Sequence, residues 1–441
     1  MSDGRRCLVT GATGYVGGRL APRLLAQGHS VRALARTPSK LYDAPWLSDG
    51  NADVIRGDLS DLDSLRAAFD GIDVVYHLVH SMSTEADFAE EERQSAHNVS
   101  TAAREAGVAR IVYLGGLHPE DGSLSAHLAS RAEVGDILID SGIETIALQA
   151  GTLIGSGSAS FELIRHLTER LPVMTTPRWV HNKIQPIAID DALHYLVAAA
   201  DVDVPTSRTW DIGGPDVLEY GDVMQIYAQV AGLPRRRMIV LPYLTPGVAS
   251  RWVRTVTPIR GSIARPLIES LECDAVCRNN DVDSIIAPPP GGLHGYRDAV
   301  RLTLERVERG DDQLDWSMAS AETAAAEPLP SDPDWSGEEL FRTTERTNVV
   351  GDPQQIWEQL SDKVSDDWEP VEEKPGELLH LRSRRRLPGR AFLTYRLRTV
   401  GPTIDVDATQ LFYPRGLAGL LYWRLGTPLR TAGLAEFDPF R

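Results

Sequence analysis

Cysteine is nearly missing from this chain: three occur in 441 residues, Cys7, Cys273 and Cys277. Three thiols build no disulfide framework. Cys273 and Cys277 stand four apart with no histidine cluster beside them, so no metal site is expected. Long apolar runs are missing too. None reaches the roughly 18 residues that a membrane helix requires, so no integral membrane segment is expected. The opening MSDGRRCLVTGATG runs straight into a strand without the apolar stretch of a secretory signal. A reducing cytoplasm is the expected location. Positive charge is outweighed, with 45 Lys and Arg against 62 Asp and Glu, a net −17. That balance argues against nucleic acid or an anionic membrane as a bulk partner.

What remains has the composition of a globular protein, 42% hydrophobic and 24% charged. The length suits two or three domains. Over the first ~215 residues strand-like and helix-like stretches alternate, the pattern of a parallel sheet with helices on both faces. RCLVTG, SVRALAR, ADVIRGD, GIDVVYHLV, ARIVYLGG, IETIALQAG and SRTWDIGGP read as seven strands. GYVGGRLAPRLLAQG reads as a helix stopped by Gly28, and SAHLASRAEVGDILIDSG as one entered through Ser125. The expected fold is α/β, a doubly wound Rossmann sheet over 1–307, with a helical substrate region at about 156–186 and 216–307. Residues 308–337 are polar, rich in Ala, Pro and Asp, and read as a linker. Residues 338–441 read as a separate α+β module. In it Ile356, Leu360 and Val364 share a helix face, Ala391, Leu393, Tyr395 and Leu397 share a strand face, and GLAGLLYWRL forms an apolar helix.

The stretch TGATGYVGG, residues 10–18, follows the first strand and opens the first helix. A phosphate pair at a helix N-terminus gains from unpaired N–H groups and the positive dipole end, and the backbone must come close. Gly11, Gly14 and Gly17 permit that approach, with Thr10, Thr13, Tyr15 and Val16 between and beside them. At the end of the second strand, where a carboxylate would hold the ribose 2′-hydroxyl of NAD, stands Arg36, with Lys40 four on. Two cations suit a 2′-phosphate, so NADP(H) is the expected cofactor ahead of NAD(H). Asp58 and Leu59 are placed near the adenine, and Leu78, Val79 and His80 along the ribose.

TGATGYVGG, RGDLSD, VVYHLVHSM, IQPIAIDD and WDIGGPD together resemble the extended and atypical short-chain dehydrogenase/reductase superfamily. Within it the chain is most similar to NmrA-type proteins and sugar-nucleotide epimerases, and the resemblance covers about residues 5–307. LPGRAFLTYRL and FYPRGLAGLLYWRL resemble an uncharacterised domain fused to such reductases. Its element order is similar to helix-grip folds that hold apolar ligands, which implies an apolar ligand or a protein partner for the module. The superfamily usually carries Tyr-x-x-x-Lys on the helix after the fifth strand and a Ser at that strand's end. A cation four residues from a phenol lowers its pKa so that it can exchange a proton near neutrality. Here His127 holds the Tyr position, Arg131 the Lys position, and Gly115 or Gly116 the Ser position.

Three readings stay open. His127 is a substitute general acid with Arg131 holding the nicotinamide ribose. Or the site is silent, and the fold is a redox sensor or assembly factor of NmrA type. Or HLASR is only a polar helix face, and the chemistry lies elsewhere. We take the first as the working expectation: hydride transfer between nicotinamide and a carbonyl or alkene of a small, partly apolar substrate. His118 and His80 are spare proton donors. Tyr113 is expected in the core. GSGSAS, Phe161, Met174, Trp179 and Gln185 are expected near the substrate, and RPLIESLECDAVC as packing. Arg382, Arg384 and Arg386 are expected on one strand face, either solvated or holding an anionic group.

Overall fold

The computed structural model describes residues 4–42, 44–80, 88–119, 124–241, 257, 261–312, 341–349, 352–362, 367–400 and 403–425. The chain divides into two compact units, Met1–Thr168 with Pro172–Gly337, and Glu169–Leu171 with Glu338–Arg441.

The first unit is built on a seven-stranded sheet: β1 (Arg6–Thr10), β2 (Ser30–Ala35), β3 (Ala52–Arg56), β4 (Val74–His77), β5 (Arg110–Gly116), β6 (Glu144–Ala150) and β7 (Arg208–Ile212). The order is β3-β2-β1-β4-β5-β6-β7 and every pairing is parallel. These are the seven strands read from the sequence. Side chains alternate between two cores, as the two-residue period of a strand demands. Cys7 and Val9 of β1 face one core, which they share with Leu20 and Leu24 of α1 (Tyr15–Ala26) and Leu193 and Leu196 of α6 (Ile189–Ala198). Leu8 faces the other. There it meets Phe69 of α2 (Leu62–Phe69), Val99 of α3 (Phe88–Ala106) and Leu138 of α4 (Ala126–Ile139). Burial on both faces explains why the strands read as near-continuous apolar runs. Each fully buried Leu or Val contributes about 1.5–3 kcal/mol. Tyr113 is in the core as expected, its hydroxyl donating to the Arg131 carbonyl at 2.9 Å.

Local signals set the element ends. Ser125 Oγ accepts from the Leu128 N–H at 3.3 Å and starts α4. After α1 the chain turns at Gly28 (φ 88°), a conformation open to glycine. The strand order reverses between β1 and β4, and the crevice beyond their C-terminal ends is where such sheets bind ligands. Further on come α5 (Ala159–Arg170), α7 (Tyr220–Val230), α8 (Gly261–Ser270) and α9 (Tyr296–Asp312), with three two-stranded pairings among short strands. α9 runs through Asp312, so the helix continues into the stretch read as linker. Residues 313–337 lie outside the described residues.

The second unit holds a five-stranded antiparallel sheet: β8 (Phe341–Val349), β9 (Trp368–Lys374), β10 (Leu378–Ser383), β11 (Gly389–Val400) and β12 (Thr403–Pro414), in the order β8-β12-β11-β10-β9. α10 (Pro353–Asp362) lays Ile356 and Leu360 onto Leu393, Tyr395 and Leu397. Val364 is outside the described residues. α11 (Gly416–Leu425) stacks Trp423 on Phe341 and Phe412, with ring centroids 5.1 and 5.3 Å apart. The arginine run is not one strand face. β10 ends at Ser383, and Arg384, Arg385 and Arg386 form an exposed turn before β11. Among the described residues no helix is long and apolar enough to cross a membrane.

Candidate functional site

The loop between β1 and α1 is tight because it has no side chains where it folds on itself. A Cβ on Gly17 would stand 2.3 Å from the Gly11 carbonyl oxygen, and one on Gly14 3.1 Å from the same atom. Gly11 has φ 73°, and the Gly14 N–H donates to its carbonyl at 2.8 Å. No side chain caps α1, so its first-turn N–H groups and positive dipole end are left for an anion. Thr10 fastens the loop from below. Fully buried, its hydroxyl donates to the Tyr76 carbonyl (3.0 Å) and accepts from the Leu78 N–H (3.1 Å), tying β1 to the end of β4. Thr10 therefore shapes the loop from outside the cavity.

A cavity of ≈ 400 Å³ opens in front of this loop. Thr13, Tyr15 and Val16 line it with the three glycines, as do Leu78 and His80 after β4, Gly115 and Gly116 at the end of β5, and Arg131 of α4. Its far wall comes from Thr152, Ser158, Ser160, Tyr220 and, on α8, Ile263, Leu267 and Ser270. An apolar annex of ≈ 50 Å³ continues past Tyr220 between Leu163, Leu167, Trp179 and Met224. Among the described residues no carboxylate lines either space.

Among the described residues Arg131 is the one charged side chain that lines the cavity. A Cβ on Gly116 would lie 3.6 Å from its Nη1. Arg131 therefore reaches the end of β5 at ordinary contact distance. His80 Nε2 lies 2.8 Å from the Leu114 carbonyl oxygen, which fixes the proton on Nε2 and leaves Nδ1 as an acceptor. Loss of water, then Arg131 and His77, hold its pKa well below the ordinary value. Burial pushes the Tyr220 hydroxyl up.

His127 does not line the cavity. Its ring stacks on Phe88 at 4.2 Å, and burial, then Arg131, lower its pKa. One helical turn on, the longer arm of Arg131 reaches where the imidazole does not. His118 is also committed: its Nδ1 lies 3.1 Å from the Pro119 carbonyl oxygen and its Nε2 3.0 Å from Gln149 Nε2. Arg36 and Lys40 are exposed beyond the end of β2, outside the cavity. Asp58 lies outside it too. Its carboxyl pKa is lowered by the Ser60 N–H and hydroxyl, and less by Arg36. Leu59 is packed in the second core, and Val79 is exposed with Cγ2 3.3 Å from where a Gly11 Cβ would be.

Of the residues expected near the substrate, Trp179 lines the annex. Phe161 packs edge-on to Tyr227, Met174 is buried, and Gln185 bonds Gly214 and the Cys277 N–H, so these three are structural. Sequence reasoning missed Thr152, Tyr220 and the lining face of α8. Ile263, Leu267 and Ser270 stand at i, i+4 and i+7, a helical face of which Leu267 and Ser270 fall in the stretch read only as packing. It also missed the support of the GSGS loop. Glu162, fully buried, accepts from the Gly157 N–H at 3.0 Å and pairs with Arg165 at 2.8 Å.

Residues 11–166 match a family model described as NAD(P)H-binding. Over 118 residues the chain is 38% identical to a 3 beta-hydroxysteroid dehydrogenase/Delta 5-->4-isomerase of Mycobacterium tuberculosis, covering 24% of this chain and 30% of that one. It is 25% identical over 269 residues to sterol demethylase protein B of Methylococcus capsulatus, covering 55% of this chain and 79% of that one. The chain thus spans about a third of the dehydrogenase's length. Among solved structures, a Citrobacter triphenylmethane reductase complexed with NADP(H) matches at TM-score 0.53, 18% identity, 68% of this chain and 99% of that one. MoeE5 in complex with UDP-glucose and NAD matches at TM-score 0.53, 19% identity, 69% and 99%. The fold of the first unit is the one these structures share.

Proposed function

We propose that this chain, which carries an NAD(P)H-binding domain, is an NADP(H)-dependent oxidoreductase acting on a partly apolar carbonyl compound or the matching alcohol. The observation that carries the reading is the single cavity that joins the glycine cradle to an apolar end, with one guanidinium between. The cradle fits the group. The glycines let the loop fold against its own backbone, and α1 begins with no side-chain cap, so its first-turn N–H groups suit a pyrophosphate. Arg36 and Lys40, exposed beside the cradle, are the residues to hold a 2′-phosphate.

When bound, the nicotinamide supplies or accepts the hydride. The protein's part is to place the substrate and carry its charge. Arg131 is a fixed cation that exchanges no proton near neutrality, so its role is to stabilise negative charge growing on the substrate oxygen. With Nε2–H held by Leu114, His80 offers Nδ1 to a substrate hydroxyl proton. Leu153, Ile263, Leu267 and Tyr220 exclude water and hold the apolar part. The proton work moves from His127, which stands outside the cavity, to His80 and solvent. The names of the steroid and sterol relatives support an apolar substrate.

The test is calorimetric titration of wild type and Arg36→Ala with NADPH and NADH, then NADPH oxidation with steroid and aromatic carbonyls. Tighter binding of NADPH, lost in Arg36→Ala, together with turnover that falls at least ~100-fold in Arg131→Gln, supports the proposal. Tight binding with no turnover on any carbonyl refutes the oxidoreductase reading in favour of a sensor. No binding of either nucleotide refutes both.

A further inference from the structure

We infer that the second unit docks by helix α11 and the adjacent arginine turn onto an anionic lipid surface, lying flat on it. A surface helix normally buries one apolar stripe and shows a polar face to water. α11 has no polar face over its described side chains. Gly419, Leu420 and Trp423 are buried. The outer face is Leu417 and Leu421, each 48% exposed, Tyr422 at 42%, and Ala418. Apolar side chains on both sides of a helix belong in a core or at a membrane.

The neighbour of this face selects the occupant. The Pro388 carbonyl accepts from the Arg415 N–H at 2.8 Å, and a Cβ on Gly419 would come within 2.4 Å of that oxygen. The turn that carries Arg384, Arg385 and Arg386, all exposed, is therefore seated against the helix. Arg385 pairs with Asp367 at 2.5 Å and Arg384 with Glu369 at 3.5 Å, and among the described residues no carboxylate pairs with Arg386. Arg386 keeps an exposed cation beside an apolar, aromatic-bearing face. This is the pairing that an acidic headgroup layer over acyl chains complements. Ten residues of helix measure about 15 Å, half of a bilayer core, so α11 lies in the interface and does not span it. The chain's net −17 opposes approach from a distance. Binding is accordingly short-ranged, oriented by this patch and weakened by salt.

Full-length protein is co-sedimented with phosphatidylcholine vesicles with and without phosphatidylglycerol, at low salt and at about 0.5 M NaCl. The inference expects pelleting with the anionic vesicles and its loss on adding salt. It also expects at least a ~tenfold drop in partitioning for Leu417→Asp/Leu421→Asp, and about fivefold for each arginine removed in Arg384→Gln/Arg386→Gln. All four side chains are already exposed, so thermal midpoints should hold, and that is checked for each variant. Wild type staying in the supernatant overturns the inference. So does pelleting that both variants retain. A dimer in light scattering that Leu417→Asp/Leu421→Asp dissolves, with no vesicle binding, assigns the face to a second copy and equally overturns it.

Discussion

Gly17→Ala is the most exacting perturbation of the nucleotide cradle, because the atoms it meets have nowhere to go. The new Cβ would lie 2.3 Å from the Gly11 oxygen, 2.8 Å from its carbonyl carbon and 3.0 Å from Ala12 Cα, all backbone, where ordinary contact begins at 3.4 Å. Relief requires α1 to retreat by about 1.1 Å, the difference between those two distances. Overpacking of this kind costs about 1–3 kcal/mol, and alanine regains about 1 kcal/mol of helix propensity over glycine. The net loss of stability is therefore modest, about 0–2 kcal/mol. Binding suffers more. A retreat of that size breaks one or two N–H contacts to a bound anion at about 1.5–3 kcal/mol each, so affinity falls at least ~10-fold. Gly14→Ala is the internal control: its contact of 3.1 Å asks for about 0.3 Å, and the effect should stay within a few-fold. Calorimetry with NADPH and NADH, beside thermal melts, reads both. Gly17→Ala binding within twofold of wild type, or Gly14→Ala proving the worse, would sink the reasoning.

His77 is fully buried on β4, and burial lowers its pKa from 6.5 to about 4. Below pH 6.5 the unfolded histidine takes up a proton that the folded one refuses. Stability therefore falls between pH 6.5 and about 4, by some 3 kcal/mol at about 1.36 per unit. Urea titrations across that window should give a shallower slope for His77→Gln than for wild type, and equal slopes would contradict the burial. Glu162→Gln should destabilise by about 3–5 kcal/mol, because it removes the charge that faces buried Arg165. An unchanged denaturation midpoint would refute that network. His127→Gln should leave turnover within about threefold of wild type, since its ring faces Phe88. A ~100-fold loss in steady-state assays would return the acid role to it.

The sheet was readable because both cores impose their pattern on the strands, so RCLVT, SVRALA and VVYH stand out as apolar runs between turns. The cradle was readable because close approach demands glycine at fixed steps. A spacing of four put His127 and Arg131 on one helix face but did not fix their reach. The imidazole stops at Phe88, whereas the guanidinium extends to Gly116. The lining face of α8 was visible as a periodicity, yet nothing local distinguishes apolar residues that face a cavity from those that face a core. Glu162 and Arg165 left no local mark of their burial. The same spacing of a carboxylate and an arginine occurs exposed at Asp63 and Arg66, and what distinguishes Glu162 is the Gly157 N–H it accepts from inside the fold.

The wall of the cavity has a consequence for how the site meets its surroundings. Burial holds the pKa of His80 below its ordinary value and that of the Tyr220 phenol above it, while the Arg131 guanidinium keeps its charge. Both shifts oppose a change of charge in the wall, so the guanidinium is its steady source of field.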